Sequence, residues 1–342
     1  MGLEQRKEII AAIEKHRGSH LICCLTSDRP NAQGSLAKDF IPVFYEHLKR
    51  FPDHERVEVF MFTLGGDTLA AFGLSRLIRE FTSNVGVLIP QQCHSGGTLF
   101  ALGANQIYMA RLATLSPIDP SVTGPLNPAL EMGLGQKQLI PVSVESVAGY
   151  KALVKEDWGL EGENAAMAFR LLAEKINPIA LGNVFRSRQQ IARLADKLIG
   201  NHRRDKKQIK KIIDTLTRDL GSHDYPIARE EARHLLGKQI ADHDKDLEVL
   251  LWDLYKDFSE EMELGKTYDA GMAMNAAKAA NQATPLSMLL KVVTIESVSG
   301  NHTWERHIRL TPFQMMTQAG PVDSFQQGIV FDGWRNNFQS LG

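Results

Sequence analysis

The stretch VGVLIPQQCHSGGTLFAL, residues 85–102, joins two apolar segments through the turn His94-Ser95-Gly96-Gly97. The first apolar segment is a short run bounded by proline, which is typical of a buried strand. The second follows directly on the glycines and has the composition of a short helix. A strand, a glycine turn and a helix in this order form the repeating unit of α/β folds. The stretch therefore predicts the α/β class.

The same alternation extends on both sides, from the amino terminus to about residue 120. Strands that alternate with helices imply right-handed crossover connections and a mostly parallel sheet, covered by helices on both faces. The predicted strands are residues 20–25, 57–64, 85–89 and 106–109, and the predicted helices are residues 5–16, 40–48 and 95–103 and one that begins after Asp67.

The rest of the chain has a different pattern. Residues 142–199 and 247–264 have helical spacing, whereas residues 288–313 alternate as two strands around Ser299-Gly300-Asn301. The predicted domains are a core of βαβ units at 1–140, a helical region at 141–264 that completes the site and serves assembly, and a segment at 265–342 with a linker, a β-hairpin and a tail of unknown role.

Composition and charge exclude several classes of protein. The chain has 342 residues, of which 43% are hydrophobic, and this amount is enough for a sizeable core. A formal net charge of −1 gives no general attraction to nucleic acid or to anionic membranes. The basic segment 202–211 has no aromatic residues between its charges, which favours a solvated helix face over a nucleic-acid site. We expect no nucleic-acid partner.

The cysteines and the amino-terminal segment indicate a cytoplasmic location. Cys23, Cys24 and Cys93 are too few and too badly spaced for a disulfide framework or a zinc site. The amino-terminal segment lacks the apolar core of a secretory signal, and no stretch is long enough to span a bilayer. We expect a cytoplasmic protein with no integral membrane segment, no metal ion and no organic cofactor.

Two turns of similar composition follow two consecutive predicted strands. They are TLGGDT at residues 63–68 and CHSGGT at residues 93–98. Open α/β folds bind their ligands at the carboxyl ends of the strands, so both turns are expected at one pocket. Glycines let the backbone approach a ligand and direct N–H groups at it, aided by the positive end of the following helix. Ser95 beside such amides has the arrangement that nucleophilic acyl transfer requires.

Each turn also has a simpler interpretation. Ser95 is a natural N-cap, because its side-chain oxygen is placed to accept the backbone N–H of residue 97 or 98. Gly65 and Gly66 alone are typical of a tight turn or a phosphate cradle, although no Walker lysine follows them. Two glycine turns at one crevice favour the catalytic interpretation, since structure alone would not require both.

The order of these motifs resembles a known family. LGGDT, HSGGTLFALGANQIYM, LSPIDPS, PVSVESV, NPIALGNVFRSRQQIARLADKLI and SHDYPIAREEA are similar to segments of the serine dehydrogenase proteinase family, from about Glu4 to about Phe258. This family is a branch of the Clp protease and crotonase fold, related to signal peptide peptidase A. The resemblance implies a spiral of βαβ units and a trimer or hexamer that acts on peptides or proteins. It also implies that Ser95 is the nucleophile and that Gly65, Gly66 and the amide of Gly96 form the oxyanion hole.

The base that removes the proton from Ser95 stays open. Clp proteases have a histidine where this chain has Asp119, so the resemblance does not supply an intact Clp triad. Signal peptide peptidase A uses a lysine, for which Lys175 lies in the most apolar setting. His223 is the other candidate, with Asp224 or Asp119 orienting it. His94 is expected to have a structural role or to contact the substrate.

We therefore predict a cytoplasmic serine peptidase that forms an acyl-enzyme on Ser95. One alternative is an enoyl-CoA hydratase-like enzyme, which uses the same pair of amides to stabilise a thioester enolate. The other is a catalytically silent assembly module in which Ser95 only caps a helix.

Overall fold

The computed structural model describes residues 3–118, 121–122, 124–131, 137–203, 205–282, 284–317 and 320–338. The chain divides into two compact units, one of residues Met1–Thr114 with Ala228–Gly342 and one of residues Leu115–Ile227. This division differs from the three consecutive domains predicted from the sequence, because the amino-terminal and carboxy-terminal parts of the chain form one unit.

Helices and strands alternate through the amino-terminal part. The helices are α1 Leu3–Arg17, α2 Phe40–Leu48, α3 Thr68–Phe81, α4 Gly96–Leu102, α5 Val144–Ala152, α6 Gly162–Lys175, α7 Pro178–Gly200, α8 Lys206–Asp214, α9 Arg229–Leu236, α10 Lys245–Met262 and α11 Ala270–Ala279. The strands are β1 His20–Thr26, β2 Val57–Phe62, β3 Val85–Ile89, β4 Gln92–Cys93, β5 Gln106–Met109, β6 Thr114–Leu115, β7 Ser121–Val122, β8 Ala129–Glu131, β9 Lys137–Leu139, β10 Val142–Ser143, β11 Ile227–Ala228, β12 Leu286–Ser297, β13 Gly300–Thr317 and β14 Gly320–Asn336.

The first unit is built on one sheet with the strand order β14-β13-β12-β1-β2-β3-β5. Strands β1, β2, β3 and β5 are parallel, and α2, α3 and α4 lie between them along the chain. Every residue of β2 and of β3 is buried, as expected for strands that are covered on both faces. The predicted α/β class and the predicted strand–helix order of this part are confirmed.

The carboxy-terminal strands extend the same sheet. β12 runs antiparallel to β1, and β12 and β13 form the hairpin predicted around Ser299-Gly300-Asn301. The sequence prediction missed β14, which pairs antiparallel with β13, and it described as a linker the segment that forms α11. The sheet is therefore mixed, with four parallel strands on one side and an antiparallel meander on the other.

A buried ion cluster joins α1, α10 and β12 within this unit. The Arg6 guanidinium lies 2.9 and 3.0 Å from the two carboxylate oxygens of Glu296 and 2.6 Å from Asp257. Glu261 also accepts from Arg6 and from Lys291. Arg6, Glu296 and Asp257 are buried, so the carboxylates depend on the guanidinium for their neutralisation.

Replacement of Arg6 by methionine is expected to lower the free energy of unfolding by about 3 kcal/mol, because it leaves two buried carboxylates without their cation. Urea denaturation measures the change. Lys7 is the matched control, since it pairs with Glu4 at the surface and Lys7→Met is expected to change the free energy by less than about 0.5 kcal/mol. Equal effects of the two substitutions would contradict the assigned role of the cluster.

His47 gives this unit a dependence on pH. Its Nδ1 lies 2.8 Å from Ser297 Oγ and its Nε2 lies 3.3 Å from His302 Nδ1. Burial lowers the pKa of His47 from 6.5 to about 3, and the nearby His302 and Arg50 act in the same direction. As the pH falls, the unfolded chain therefore takes up a proton at this residue before the folded chain does, so that stability is fully present above about pH 6.5 and declines below it.

The free energy of unfolding is expected to decrease by about 2 kcal/mol between about pH 6.5 and about pH 5, measured by urea denaturation at both values. His47→Gln is expected to remove most of this decrease. His234→Gln, at an exposed histidine, is the control and is expected to retain it. A decrease that persists in His47→Gln would show that other groups cause it.

The second unit contains α5 to α8 and short strands. β7 pairs antiparallel with β10, and β8 pairs antiparallel with β9. Ser143 caps α5, because its hydroxyl accepts the N–H groups of Glu145 at 3.1 Å and Ser146 at 3.3 Å. Val142, Val144 and Val184 form a small buried cluster at this end of the helices. In the described part of the whole chain, every helix is too short or too polar to pass through a lipid bilayer.

Candidate active site

The two glycine turns lie side by side in the first unit, just beyond the carboxyl ends of β2 and β3. Thr63 follows β2 and forms a parallel bridge with Cys93. Its N–H donates to Gln92 O at 3.0 Å, and its carbonyl accepts the His94 N–H at 3.0 Å. The turn that carries Gly65 and Gly66 is therefore fixed to the turn that carries Ser95.

Ser95 lies at a sharp bend between β4 and α4. Its backbone has φ 49° and ψ −112°, a conformation that residues other than glycine rarely adopt. Strained residues of this kind cluster at functional sites, and a serine on a strained strand-to-helix turn is also the arrangement of the nucleophile elbow of α/β-hydrolases. The Ser95 side chain is half-buried.

The N-cap interpretation of Ser95 is wrong. The side chain accepts no hydrogen bond from the first turn of α4. The N–H of Gly97 donates instead to the His94 carbonyl at 2.7 Å, and the N–H of Leu99 donates to the Ser95 carbonyl at 3.0 Å. The physical reason is the positive φ of Ser95, which lies outside the β region that N-cap residues occupy.

The glycines allow the two turns to approach closely. A Cβ atom on Gly65 would lie 2.7 Å from Ser95 Cβ and 3.0 Å from Gly96 N. A Cβ on Gly96 would lie 3.2 Å from Gly66 N. Gly65 and Gly66 also have φ angles of 110° and 143°, which side chains disfavour. The structure therefore brings together Gly65, Gly66, Ser95 and Gly96, as the sequence predicts.

The three glycine N–H groups of the predicted oxyanion hole differ in their hydrogen bonds. The Gly65 N–H donates to Thr63 Oγ1 at 2.9 Å, so it is already bonded within the chain. Within the described residues, the N–H groups of Gly66 and Gly96 have no acceptor. The predicted use of Gly65 as a donor is therefore corrected: Gly65 provides space beside Ser95, and two N–H groups remain for a ligand.

A groove of about 330 Å³ borders the first of these turns. Leu36 joins the segment on the other side of the groove to this turn. Its N–H donates to Gly65 O at 2.8 Å, and its carbonyl accepts the Asp67 N–H at 2.9 Å. The groove is lined by Gln33, Gly34, Ser35, Leu64, Gly65 and Gly66.

His94 contacts a neighbouring element. Its Nε2 lies 2.8 Å from Thr114 Oγ1, and its carbonyl accepts the Gly97 N–H. These contacts agree with the structural role considered for this histidine. Among the described residues, no group of three or more histidine, cysteine, aspartate or glutamate side chains is arranged to hold a metal ion.

The candidate bases belong to the second unit. His223 is half-buried in the turn between α8 and β11, and the N–H of the exposed Asp224 donates to Ser222 Oγ at 3.3 Å. Lys175 is exposed at the last position of α6. Asp119 lies outside the described residues.

The sequence prediction missed two threonines beneath the first glycine turn. Thr26 and Thr63 are fully buried, and their hydroxyl oxygens lie 2.8 Å apart. A threonine two residues before a glycine is a local signal for a side chain that bonds the backbone of a turn, and it was present at Thr63. The participation of Thr26 depends on the pairing of β1 with β2 and has no local signal.

Two uncharacterized proteins of Methanocaldococcus jannaschii are similar to this chain. One is 25% identical over 211 residues, which cover 61% of this chain and 62% of that protein, and the other is 26% identical over 129 residues, which cover 34% and 42%. The chain thus matches less than two thirds of the length of these relatives.

Among solved structures, a mutant ClpP1 from Listeria monocytogenes matches 70% of this chain and 97% of its own, with 14% identity and a TM-score of 0.36. The model of a family described as ClpP-like SDH-type serine proteinase matches residues 2–140, which contain both glycine turns. The resemblance deduced from the motifs is thereby confirmed for this part of the chain: residues 2–140 are similar to the ClpP-like SDH-type serine proteinases.

Proposed function

We propose that the protein is a serine peptidase that forms an acyl-enzyme on Ser95. One observation carries this proposal. A serine in a strained turn, whose side chain does not cap the helix that follows, adjoins two backbone N–H groups that have no acceptor among the described residues. Two amides and one hydroxyl are the groups that acyl transfer to serine requires.

In the proposed reaction, Ser95 Oγ attacks the carbonyl carbon of a peptide bond, and its proton passes to a general base. The carbonyl oxygen becomes an oxyanion that accepts hydrogen bonds from the N–H groups of Gly66 and Gly96. When the C–N bond breaks, the leaving amine takes the proton from the base. Water then attacks the ester by the same route, which releases the acid and restores the hydroxyl of Ser95.

The groove beside Gly65 and Gly66 is proposed to hold the part of the substrate next to the attacked bond. Four of its six lining residues are glycine or serine, beside Gln33 and Leu64, and this open, backbone-rich lining suits an extended peptide. A peptide or protein substrate, a homo-oligomeric assembly of three or six chains and a cytoplasmic location remain part of this proposal.

We propose His223 as the general base, with Asp224 or Asp119 orienting it. A lysine acts as a base only when burial lowers its pKa, and the exposed position of Lys175 supports the histidine over the lysine. Replacing each residue separately tests this choice. We expect His223→Gln to lower the rate of hydrolysis about 100-fold or more and Lys175→Met to change it less than about threefold. The reverse result would identify the lysine as the base.

A fluorophosphonate probe tests the proposed function, because it phosphonylates only an activated serine. Labelling followed by peptide mapping is expected to place the probe on Ser95, and Ser95→Ala is expected to remove it. A folded wild-type protein that resists the probe would contradict the proposal. Hydration of crotonyl-CoA by the wild-type protein and by Ser95→Ala would then identify a hydratase. If neither protein hydrates crotonyl-CoA, the assembly module is the remaining alternative.

A further inference from the structure

A second hydroxyl lies buried beneath the glycine turn. We propose that Thr63 is a positioning residue, which holds the peptide between Gly65 and Gly66 so that the Gly66 N–H faces the carbonyl oxygen attacked by Ser95. This inference rests on the proposed function and assigns a role to two residues, Thr63 and Thr26, that do not contact the substrate.

The hydrogen-bonding capacity of the Thr63 hydroxyl is completely used. A hydroxyl has one hydrogen to donate and two lone pairs to accept. The oxygen accepts the Gly65 N–H at 2.9 Å and the Thr26 hydroxyl at 2.8 Å, and it donates to the Gly65 carbonyl at 3.3 Å. Because all three positions are occupied, the hydroxyl has one orientation, and it binds both ends of Gly65.

The geometry of the peptide bond transmits this orientation to the oxyanion site. The Gly65 carbonyl and the Gly66 N–H belong to the same planar peptide, in which they point in opposite directions. The carbonyl accepts two hydrogen bonds, from the Leu36 N–H at 2.8 Å and from the Thr63 hydroxyl. Fixing the direction of the carbonyl therefore fixes the direction of the Gly66 N–H.

Such anchoring is needed because glycine lies on both sides of this peptide. Without Cβ atoms, little steric resistance opposes rotation of the peptide plane. An oxyanion hole is effective only when its donors are directed in advance at the developing charge. The hydrogen bonds of Thr63 and Leu36 supply this preorganisation.

Thr63 also connects the oxyanion turn to the nucleophile turn. Its backbone N–H donates to the Gln92 carbonyl, and its carbonyl accepts the His94 N–H. Both partners lie on the segment that leads to Ser95. Its Cγ2 methyl packs against Gly97, where an added Cβ would lie 2.5 Å from it. One buried residue therefore contacts both halves of the site through different groups, and only its hydroxyl acts on Gly65.

Thr63→Val tests the inference, because it retains the branched shape and removes the hydroxyl. We expect kcat for peptide hydrolysis and the rate of fluorophosphonate labelling to fall by roughly 30-fold or more, with KM changed less than about threefold. Thr63→Ser restores the hydroxyl and is expected to retain activity within about fivefold. A full rate in Thr63→Val would overturn the inference.

Thr82 provides the matched control. Its buried hydroxyl accepts the N–H of Asn84 at 3.1 Å. This bond joins residues two apart in the chain, as the bond between Thr63 and Gly65 does. Thr82, however, lies at the end of α3 that is distant from the glycine turn. Thr82→Val is expected to lower thermal stability without changing kcat.

If Thr63→Val does not fold, Thr26→Val provides a second test. This substitution removes one hydrogen bond to the Thr63 hydroxyl and is expected to lower kcat about fivefold. An unchanged kcat in that variant would also overturn the inference.

A crystal structure of Thr63→Val separates this inference from the proposed function. A rotated Gly65–Gly66 peptide is expected, and an unchanged peptide would contradict the inference even if the enzyme is active. If wild-type Ser95 resists the probe, the proposed function fails, and the orientation of the peptide in the variant still decides whether Thr63 holds it.

Discussion

Ser95→Ala is expected to lower the rate of peptide hydrolysis by about 10⁴-fold or more, because no other group in the proposed reaction forms the acyl-enzyme. The free energy of unfolding is expected to change by less than about 0.5 kcal/mol, since the Ser95 side chain makes no capping hydrogen bond to α4. Cleavage of a fluorogenic peptide library gives the rate, and urea denaturation gives the stability. Together the two measurements separate a nucleophile from a helix cap.

Ser143→Ala is the matched control for this experiment. The Ser143 hydroxyl accepts two N–H groups at the start of α5, so its removal is expected to lower the free energy of unfolding by about 1 kcal/mol and to leave the rate unchanged. If Ser95→Ala behaved like Ser143→Ala, with a loss of stability and a normal rate, the nucleophile would have to be another residue.

Gly65→Ala is expected to reduce hydrolysis on the order of 10³-fold and to lower the free energy of unfolding by about 2–3 kcal/mol. The added methyl group would lie 2.7 Å from Ser95 Cβ and 2.9 Å from the His94 carbonyl, so the two turns must separate. The φ angle of 110° adds backbone strain. Because Ser95 and the Gly66 N–H move apart, the rate falls by more than the loss of stability explains.

Gly18→Ala distinguishes these effects from those of a positive φ angle alone. Gly18 has φ 56°, and a Cβ at this position would meet no atom within 4 Å. We expect a loss of about 1 kcal/mol in stability and no change in activity. A Gly65→Ala protein that kept its activity would show that Gly65 does not lie against the nucleophile.

The part of the fold next to the site follows from local patterns. Short apolar runs predict β1, β2, β3 and β5, and glycine turns mark where α3 and α4 begin. The prediction failed further along the chain, where local patterns are weak. β14 contains Pro321, Asp323, Gly328 and Gly333, which have low strand propensity, and its pairing with β13 stabilises it instead.

The segment that forms α11 was predicted to be a linker because of its alanine and methionine content, although alanine is the best helix former. The capping residue Asp269, which accepts the Met272 N–H at 2.8 Å, was a local signal for a helix that the prediction did not use. The sequence of this segment therefore contains a local helix signal in addition to its alanine content.

In the site, residue types were predictable but hydrogen bonds were not. The glycines and Ser95 are recognisable from two turns that follow consecutive strands. That Gly65 donates to Thr63, while Gly66 and Gly96 have no acceptor among the described residues, depends on how the two turns pack. The base is a harder problem, because a histidine or a lysine is selected by its position in the tertiary structure, and His223 and Lys175 both lie far along the chain from Ser95.

In the proposed mechanism, two backbone N–H groups from the ends of two neighbouring strands stabilise the oxyanion that forms when Ser95 attacks. A crystal structure of the protein after reaction with a fluorophosphonate tests this mechanism most directly, because the phosphonyl oxygen occupies the position of the oxyanion. We expect a covalent bond to Ser95 Oγ and a phosphonyl oxygen about 2.7–3.1 Å from both Gly66 N and Gly96 N. A phosphonyl oxygen directed away from these two amides, or a probe attached to another residue, would contradict the mechanism.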